Sequence, residues 1–408
     1  MSRPELPPTP LPSGSPRWAG PAEEPYLALP KVTLHDHLDG HIHPETLVEL
    51  AQAQNVSLPY QDGEKLAWWF HTRDAEPREE FPHQKFWFTT ALMQDPDSIS
   101  RVAREWAFDA AADGVIHGEV RWAPEKHVRG GLSMDEAVAA VTAGLAGAET
   151  ELAASGQEVS FRQLLCGMRE TELSAEVAEL TVRTYEDGGR GTTPGSVAGF
   201  DIAGPEHGHP AAKHLVAAQI LHESGVPSTI HAGEGDGVHS LWETVHVLHA
   251  LRLGHGVRVV EDFTLNGEAL DVRTAVQQVE LAGGVESADL DFGPVARWIL
   301  DRQIPLEVCL LSNSRWVVDG PAQHPVDLLA QLGFAVTINP DNRMMSQTCI
   351  SKEMRVLAET FTWDVADFAR AELTAAEAAF LPLKERGRLM ERIIEGFEER
   401  APGSTAMG

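Results

Sequence analysis

Two histidines one residue apart, His35 and His37, close the short apolar run Lys31-Val32-Thr33-Leu34. In a strand, side chains i and i+2 share a face, so both imidazoles can aim at one point. Two such imidazoles are half of a typical zinc site, and the spacing alone is equally compatible with a pair of core histidines. Three further segments bring reactive side chains to the ends of predicted strands: Ile230-His231-Ala232-Gly233-Glu234, Arg252-Leu253-Gly254-His255-Gly256 and Ile338-Asn339-Pro340-Asp341-Asn342. Gathered at one mouth, His35, His37, His231 and Asp341 supply three nitrogens and a carboxylate, a set that suits zinc and also admits iron or cobalt. A bound Zn²⁺ lowers the pKa of its water to about 7 and so provides hydroxide as a nucleophile. Glu234, three residues past His231, can reach the site without being a ligand and has the role of general acid open to it. His255, between two glycines, can take the proton of that water or hold the hydroxide in place.

Residues this far apart meet only if the elements around them gather strand ends. Short β-branched runs fall at 32–37, 115–122, 159–166, 197–203, 227–232, 252–258, 304–310 and 334–339. Helical patterns lie between them at 98–112, 134–154, 175–185, 210–223, 239–251, 294–301 and 325–332. The alternation predicts an α/β fold, a (β/α)₈ TIM barrel, with a doubly wound open sheet as its rival. A barrel collects its strand C-termini at one face, where the site would lie. The stretch 52–97, with Leu66-Ala67-Trp68-Trp69-Phe70 and Phe86-Trp87-Phe88, reads as a helical insertion after the first strand, placed to cover that mouth. Residues 346–400 read as C-terminal helices, 188–197 as a flexible loop and 261–293 as an acidic surface excursion. The Pro- and Ser-rich residues 1–26 are expected to be a disordered tail, leaving 27–400 as one barrel domain. Glu23-Glu24 and Glu79-Glu80 read as solvated pairs. His41, His43, His207 and His209 are expected in loops, and His222, His246 and His249 on helices as surface or packing groups.

Composition bounds the partners. The chain has 408 residues, 43% of them hydrophobic, enough for one large core. Asp and Glu outnumber Lys and Arg by 61 to 32, a formal charge of −29 that repels nucleic-acid backbones and anionic membranes. A small neutral or cationic substrate fits better. Three cysteines, Cys166, Cys309 and Cys349, make no disulfide framework. With no secretory pattern and no run of about 20 apolar residues, a cytoplasmic protein is expected. The sequence leaves the oligomeric state open.

Taken together, Leu29-Pro30-Lys31, His35-Asp36-His37-Leu38-Asp39-Gly40, Gly199-Phe200-Asp201-Ile202-Ala203-Gly204, His231-Ala232-Gly233-Glu234, Arg252-Leu253-Gly254-His255-Gly256 and Ser312-Asn313 resemble the adenosine deaminase family of metal-dependent amidohydrolases. The resemblance runs from about residue 29 to 357. It implies one zinc ion per chain held by His35, His37, His231 and Asp341, with Glu234 as proton donor to purine N1 and His255 beside the metal-bound hydroxide. It further implies substrate contacts from His37, from Asp39 to a ribose hydroxyl, and from the Gly204 backbone N–H to N3. Hydrolysis at C6 of adenosine or 2′-deoxyadenosine would release ammonia and leave the inosine product. One departure stands out. Many members of that family carry two consecutive aspartates where this chain has Asp341-Asn342, and the Asn342 amide can donate to N7 with no need of a protonated acid. Related 6-aminopurines (adenine, an aminodeoxyfutalosine, a nucleoside of secondary metabolism) are the alternative substrates, and Asp39 favours an unmodified ribose. A cytidine-type zinc deaminase requires Cys-x-x-Cys, which is absent here. A two-metal hydrolase on the same barrel would need a bridging lysine or extra histidines that Asp201-Ile202-Ala203-Gly204 does not supply.

Overall fold

The computed structural model describes residues 24–71 and 83–399. Its strands are β1 (Lys31–His37), β2 (Val115–Trp122), β3 (Ser160–Met168), β4 (Val197–Ala203), β5 (Thr229–Ala232), β6 (Arg252–His255), β7 (Phe263–Leu265), β8 (Glu268–Ala269), β9 (Leu290–Phe292), β10 (Leu306–Val308) and β11 (Val336–Ile338). Two four-stranded parallel sheets, β1-β2-β3-β4 and β5-β6-β10-β11, form the frame. Single parallel bridges, Phe200 to Ser228 and Asp36 to Asp341, join their edges. At the second seam the His37 N–H donates to the Asp341 carbonyl at 2.7 Å and the Asp341 N–H to the His35 carbonyl at 3.1 Å. The ring therefore closes on eight parallel strands, the expected (β/α)₈ barrel, and its last seam ties His35 and His37 directly to Asp341.

Helices cover the outside of the ring, so the strands are buried on both faces, as all-parallel sheets are; β4 is buried at every position. Three C-terminal helices, Ile350–Phe361, Val365–Ala378 and Leu383–Glu398, complete the chain. The second of them, with the turn that follows it, packs on the end opposite the site. Glu372 accepts the Val32 N–H at 2.6 Å, and Phe380 stacks on the Arg252 guanidinium at 3.6 Å from the ring centre. The insertion after β1 holds helices Gly63–His71 and His83–Leu92. Trp69, Phe70 and Phe88 are buried, with Trp69 edge-on to Phe88 at 5.3 Å. Arg315 donates to the carbonyls of His71 and of Met345, and so fastens the first insertion helix to the short helix Arg343–Ser346 that follows Asp341-Asn342. The insertion thus lies at the mouth, as expected.

Several elements differ from the sequence reading. The 261–293 stretch is a packed subunit of the fold: β7 pairs antiparallel with β8 and β9, and Phe263 is buried against Phe292 at 4.8 Å and Phe334 at 5.8 Å. Its acidic residues masked this, yet one of them, Asp262, caps the helix Pro294–Asp301 by accepting the Val295 and Ala296 N–H groups at 2.8 Å. The helix expected over 239–251 is α-helical only at Val238–Trp242 and widens to a π-turn over Glu243–Val247. His249 lies beyond it, with φ at 51°. The 188–197 loop is tied down by Arg162, which donates to the carbonyls of Gly191 at 2.6 Å and Thr192 at 3.1 Å. Residues 1–23 of the expected tail lie outside the described residues, as do Glu79 and Glu80. Glu24 is not simply solvated: it pairs with Arg355 at 2.7 Å, and Tyr26 packs on Phe368.

Candidate active site

β1 ends with His35 fully buried and His37 at its inner edge, and the even spacing sends both rings into the mouth. His231 arrives from β5 and Asp341 from the turn after β11. Their facing atoms lie close: His37 Nε2 is 3.1 Å from His231 Nε2, and Asp341 Oδ1 is 3.4 Å from His37 Nε2 and 3.5 Å from His35 Nε2. His35 Nε2 has no hydrogen-bond partner although it is sealed from solvent. Burial, outweighing the neighbouring carboxylates, holds His37 and His231 below the usual imidazole range, so each keeps a lone pair. Uncharged imidazole nitrogens aimed at one another and at a carboxylate oxygen would repel or waste their lone pairs unless a cation sat between them. The donor set fits a divalent metal ion.

The opposite edges of the rings are fixed by carboxylates. His35 Nδ1 meets Glu307 Oε2 at 3.1 Å, and His231 Nδ1 meets Asp201 Oδ2 at 2.9 Å. Such contacts set the tautomer so that Nε2 presents its lone pair to the centre. Burial would raise both carboxyls. Arg121, 2.6 Å from Glu307 and 2.8 Å from Asp201, helps hold both well below the carboxylate range, with the hydrogen bond from His231 also acting on Asp201 and Arg252 on Glu307. Asp341 takes a left-handed φ of 61°, a conformation that costs a non-glycine residue roughly 1–3 kcal/mol. Its second oxygen accepts the Ser312 hydroxyl at 2.6 Å, which leaves Oδ1 facing the imidazoles.

Glu234 stands on the other side of this cluster. Its Oε2 is 3.4 Å from His255 Nε2, and its Oε1 accepts from the Asn313 amide at 3.1 Å. The same amide nitrogen lies 3.1 Å from His255 Nδ1, and Asn313 is itself braced by His324. Burial first, then the charges of Asp341 and Glu206, push the Glu234 carboxyl well above its ordinary range. A carboxyl that burial and neighbouring charge make hold its proton more tightly, beside a metal-competent cluster, is placed to act as a general acid. Burial holds His255 well below the usual imidazole range, so its ring is neutral. Glu206 secures the Glu234 loop: Oε1 accepts the Gly233 N–H at 2.8 Å, and Oε2 accepts those of Glu234, Gly235 and Asp236 at 3.0, 2.7 and 3.0 Å.

The remaining expected contacts line the same mouth. Asp39 follows β1, is buried, and has one oxygen without a partner; burial raises its carboxyl to about 7. Gly204 follows β4 with φ at 100°, where an added Cβ would lie 2.7 Å from Glu170. Asn342 is buried over Gly40 so closely that a Cβ on Gly40 would sit 2.0 Å from Asn342 Oδ1. Sequence reasoning missed Glu206, Arg121 and Glu307, and it quoted Asp201, Ser312 and Asn313 as motif residues without giving them a role. The signal available was a charged residue in a run otherwise suited to a buried strand, as in Leu306-Glu307-Val308 and Phe200-Asp201-Ile202.

An eight-stranded barrel with this histidine–carboxylate cluster at its strand C-termini defines the class: a hydrolase of the amidohydrolase type, with a site suited to a metal ion. Comparison with known proteins narrows the class. The adenosine deaminase family model matches residues 30–396. The adenosine deaminase of Mycobacterium avium is 40% identical over 368 residues, 90% of this chain and 94% of that protein. Among solved structures, the adenine deaminase of Arthrobacter aurescens superposes with a TM-score of 0.71 at 23% identity, covering 91% of this chain and 99% of that one. An amidohydrolase of Burkholderia ambifaria with bound zinc gives 0.71 at 24% identity, covering 91% and 92%. The chain belongs to the adenosine deaminase family, and it is a deaminating hydrolase.

Proposed function

We propose that the protein hydrolyses adenosine and 2′-deoxyadenosine at C6, releasing ammonia and forming inosine or 2′-deoxyinosine. The carrying observation is the juxtaposition of the His35–His37–His231–Asp341 cluster with Glu234, a carboxyl whose surroundings favour its protonated form. A divalent ion held by those four residues, zinc in this proposal and one per chain, would lower the pKa of the attacking water toward 7.

The protein's own groups account for the rest. Glu234 gives its proton to purine N1, which draws electron density from C6 and makes that carbon open to attack. His255, neutral and 3.4 Å from Glu234, takes the proton shed by the attacking water. After addition at C6 the proton held by His255 passes to the amino group, which leaves as ammonia, and the C6 hydroxyl proton returns to Glu234 as the ring is restored. Asp39, with an oxygen left unpartnered, accepts a ribose hydroxyl. The Gly204 N–H meets N3, the Asn342 amide donates to N7, and His37 borders the substrate. The 40% identity to an adenosine deaminase over nine-tenths of the chain supports the same substrate. A cytoplasmic setting completes the proposal, in keeping with three buried free thiols.

A spectrophotometric assay of metal-replete protein on adenosine, 2′-deoxyadenosine, adenine and aminodeoxyfutalosine tests the reading. The two nucleosides should show the highest kcat/KM. Faster turnover of adenine or of the 5′-modified nucleoside would remove the role given to Asp39.

A further inference from the structure

A second cluster of ligand-type side chains lies apart from the active-site residues. His41, in the turn after Asp39-Gly40, is fully buried, and neither of its ring nitrogens has a hydrogen-bond partner. Its Nε2 lies 3.3 Å from Asp109 Oδ2, an oxygen that His43 Nε2 also meets, at 2.5 Å. Asp109 comes from the helix Pro96–Ala112; one turn earlier, Glu105 Oε2 is 3.9 Å from His43 Nδ1. An unsatisfied buried polar group costs about 1–3 kcal/mol, so a sealed imidazole with two idle nitrogens calls for a partner.

We propose that His41, His43 and Asp109 form a second divalent-cation site, for zinc or a similar transition ion. The ligand atoms all lie within 4.8 Å of one another. Nitrogen and oxygen ligands at ~2.0–2.1 Å from a tetrahedral ion stand ~3.3 Å apart, the separation of His41 and Asp109 and within the range found in the active-site cluster. The shorter His43–Asp109 contact is a hydrogen bond whose proton the cation would displace. His43 can retreat to make room, because its side chain is 30% exposed and Asp109 is 24% exposed. That open side also gives an entry path and a place for water as fourth ligand. Two imidazoles select a transition ion over calcium or magnesium, which prefer all-oxygen sites.

Protonation states agree with this. Burial lowers His41 to about 3, so its lone pair is free at physiological pH. The hydrogen bond to Asp109 raises His43, so loading the site releases a proton there. Arg343 is the nearby cation, and its charge is already engaged by Asp36 at 2.6 Å and Asp113 at 3.7 Å. A bound ion would clamp the loop that carries Asp39 to the Pro96–Ala112 helix.

The test is stoichiometry. Intact protein is stripped with a chelator, reloaded with Zn²⁺, dialysed to submicromolar free metal and measured by mass spectrometry of the metal. Wild type should hold two equivalents; His41→Ala and His43→Gln should each hold one, with deamination retained. His43→Gln, at a partly exposed helix cap, guards against a variant that fails to fold. One equivalent in wild type overturns the proposal, and so do two equivalents that persist in both variants. Neither result bears on the deamination reading, which the activity assay decides separately.

Discussion

Replacing Glu206 with alanine removes a single carboxylate that accepts four consecutive backbone N–H groups, those of Gly233, Glu234, Gly235 and Asp236. Hydrogen bonds to a charged group contribute roughly 1.5–3 kcal/mol each when water cannot substitute. Only the Gly233 bond is fully buried; the other three are partly open, so water recovers much of their worth. One bond near 2 kcal/mol and three near 0.5–1 kcal/mol put the loss at roughly 3–5 kcal/mol, taken by the loop that carries Glu234. At about 1.4 kcal/mol per decade, kcat/KM should fall by roughly 10²- to 4 × 10³-fold, within the ~10²–10⁴ that a general acid contributes altogether. A pH profile separates positioning from general damage. Glu234 acts in its protonated form, so activity is lost as pH rises through its pKa. The Glu206 charge helps keep that pKa high, and Glu206→Gln should therefore move the basic limb of the kcat profile to lower pH. The assay is adenosine absorbance loss from pH 5 to 10, with metal content measured in parallel. If Glu206→Ala stays within threefold of wild type across that range, the loop holds itself and the argument is wrong.

Other outcomes follow from the same geometry. Glu234→Gln should cost ~10²–10⁴-fold in turnover while metal per chain is unchanged; wild-type rates in that variant would take the acid role away from Glu234. Ser312→Ala removes the 2.6 Å bond to Asp341 Oδ2, and loss of such a support typically costs ~10–100-fold in metal affinity, read by competition with a chelator; equal retention would show that Asp341 needs no brace. Gly40→Ala forces a Cβ to within 2.0 Å of Asn342 Oδ1, so kcat/KM for adenosine should drop with the metal retained, and a drop matched by metal loss would point to damage at β1 instead.

Legibility in the sequence followed how local each signal was. His35 and His37 could be read because strand alternation alone puts both on one face, and the barrel rule sends strand ends to one mouth. His231, Glu234, His255 and Asp341 could be read for the same reason, each sitting where an apolar run breaks into glycine or proline. The 263–292 sheet was hidden because three-residue strands carry too little periodicity to stand out among acidic residues. His249 was misjudged because a π-turn leaves no mark on hydrophobic spacing.

By itself, the sequence determined the ring of alternating strands and helices and the reactive residue at each strand end, since both are written in patterns spanning a few positions. Only the tertiary structure decided what those residues are. Asp201, Glu307 and Arg121 lie 80 to 186 positions apart along the chain yet touch through buried ion pairs, and these hold the histidine tautomers. Glu206 reaches across about 30 residues to seize the Glu234 loop. Protonation, likewise, comes from enclosure and neighbouring charge: Glu234 is an ordinary carboxyl in the chain and becomes an acid only where the closed barrel removes its water and brings two other carboxylates near.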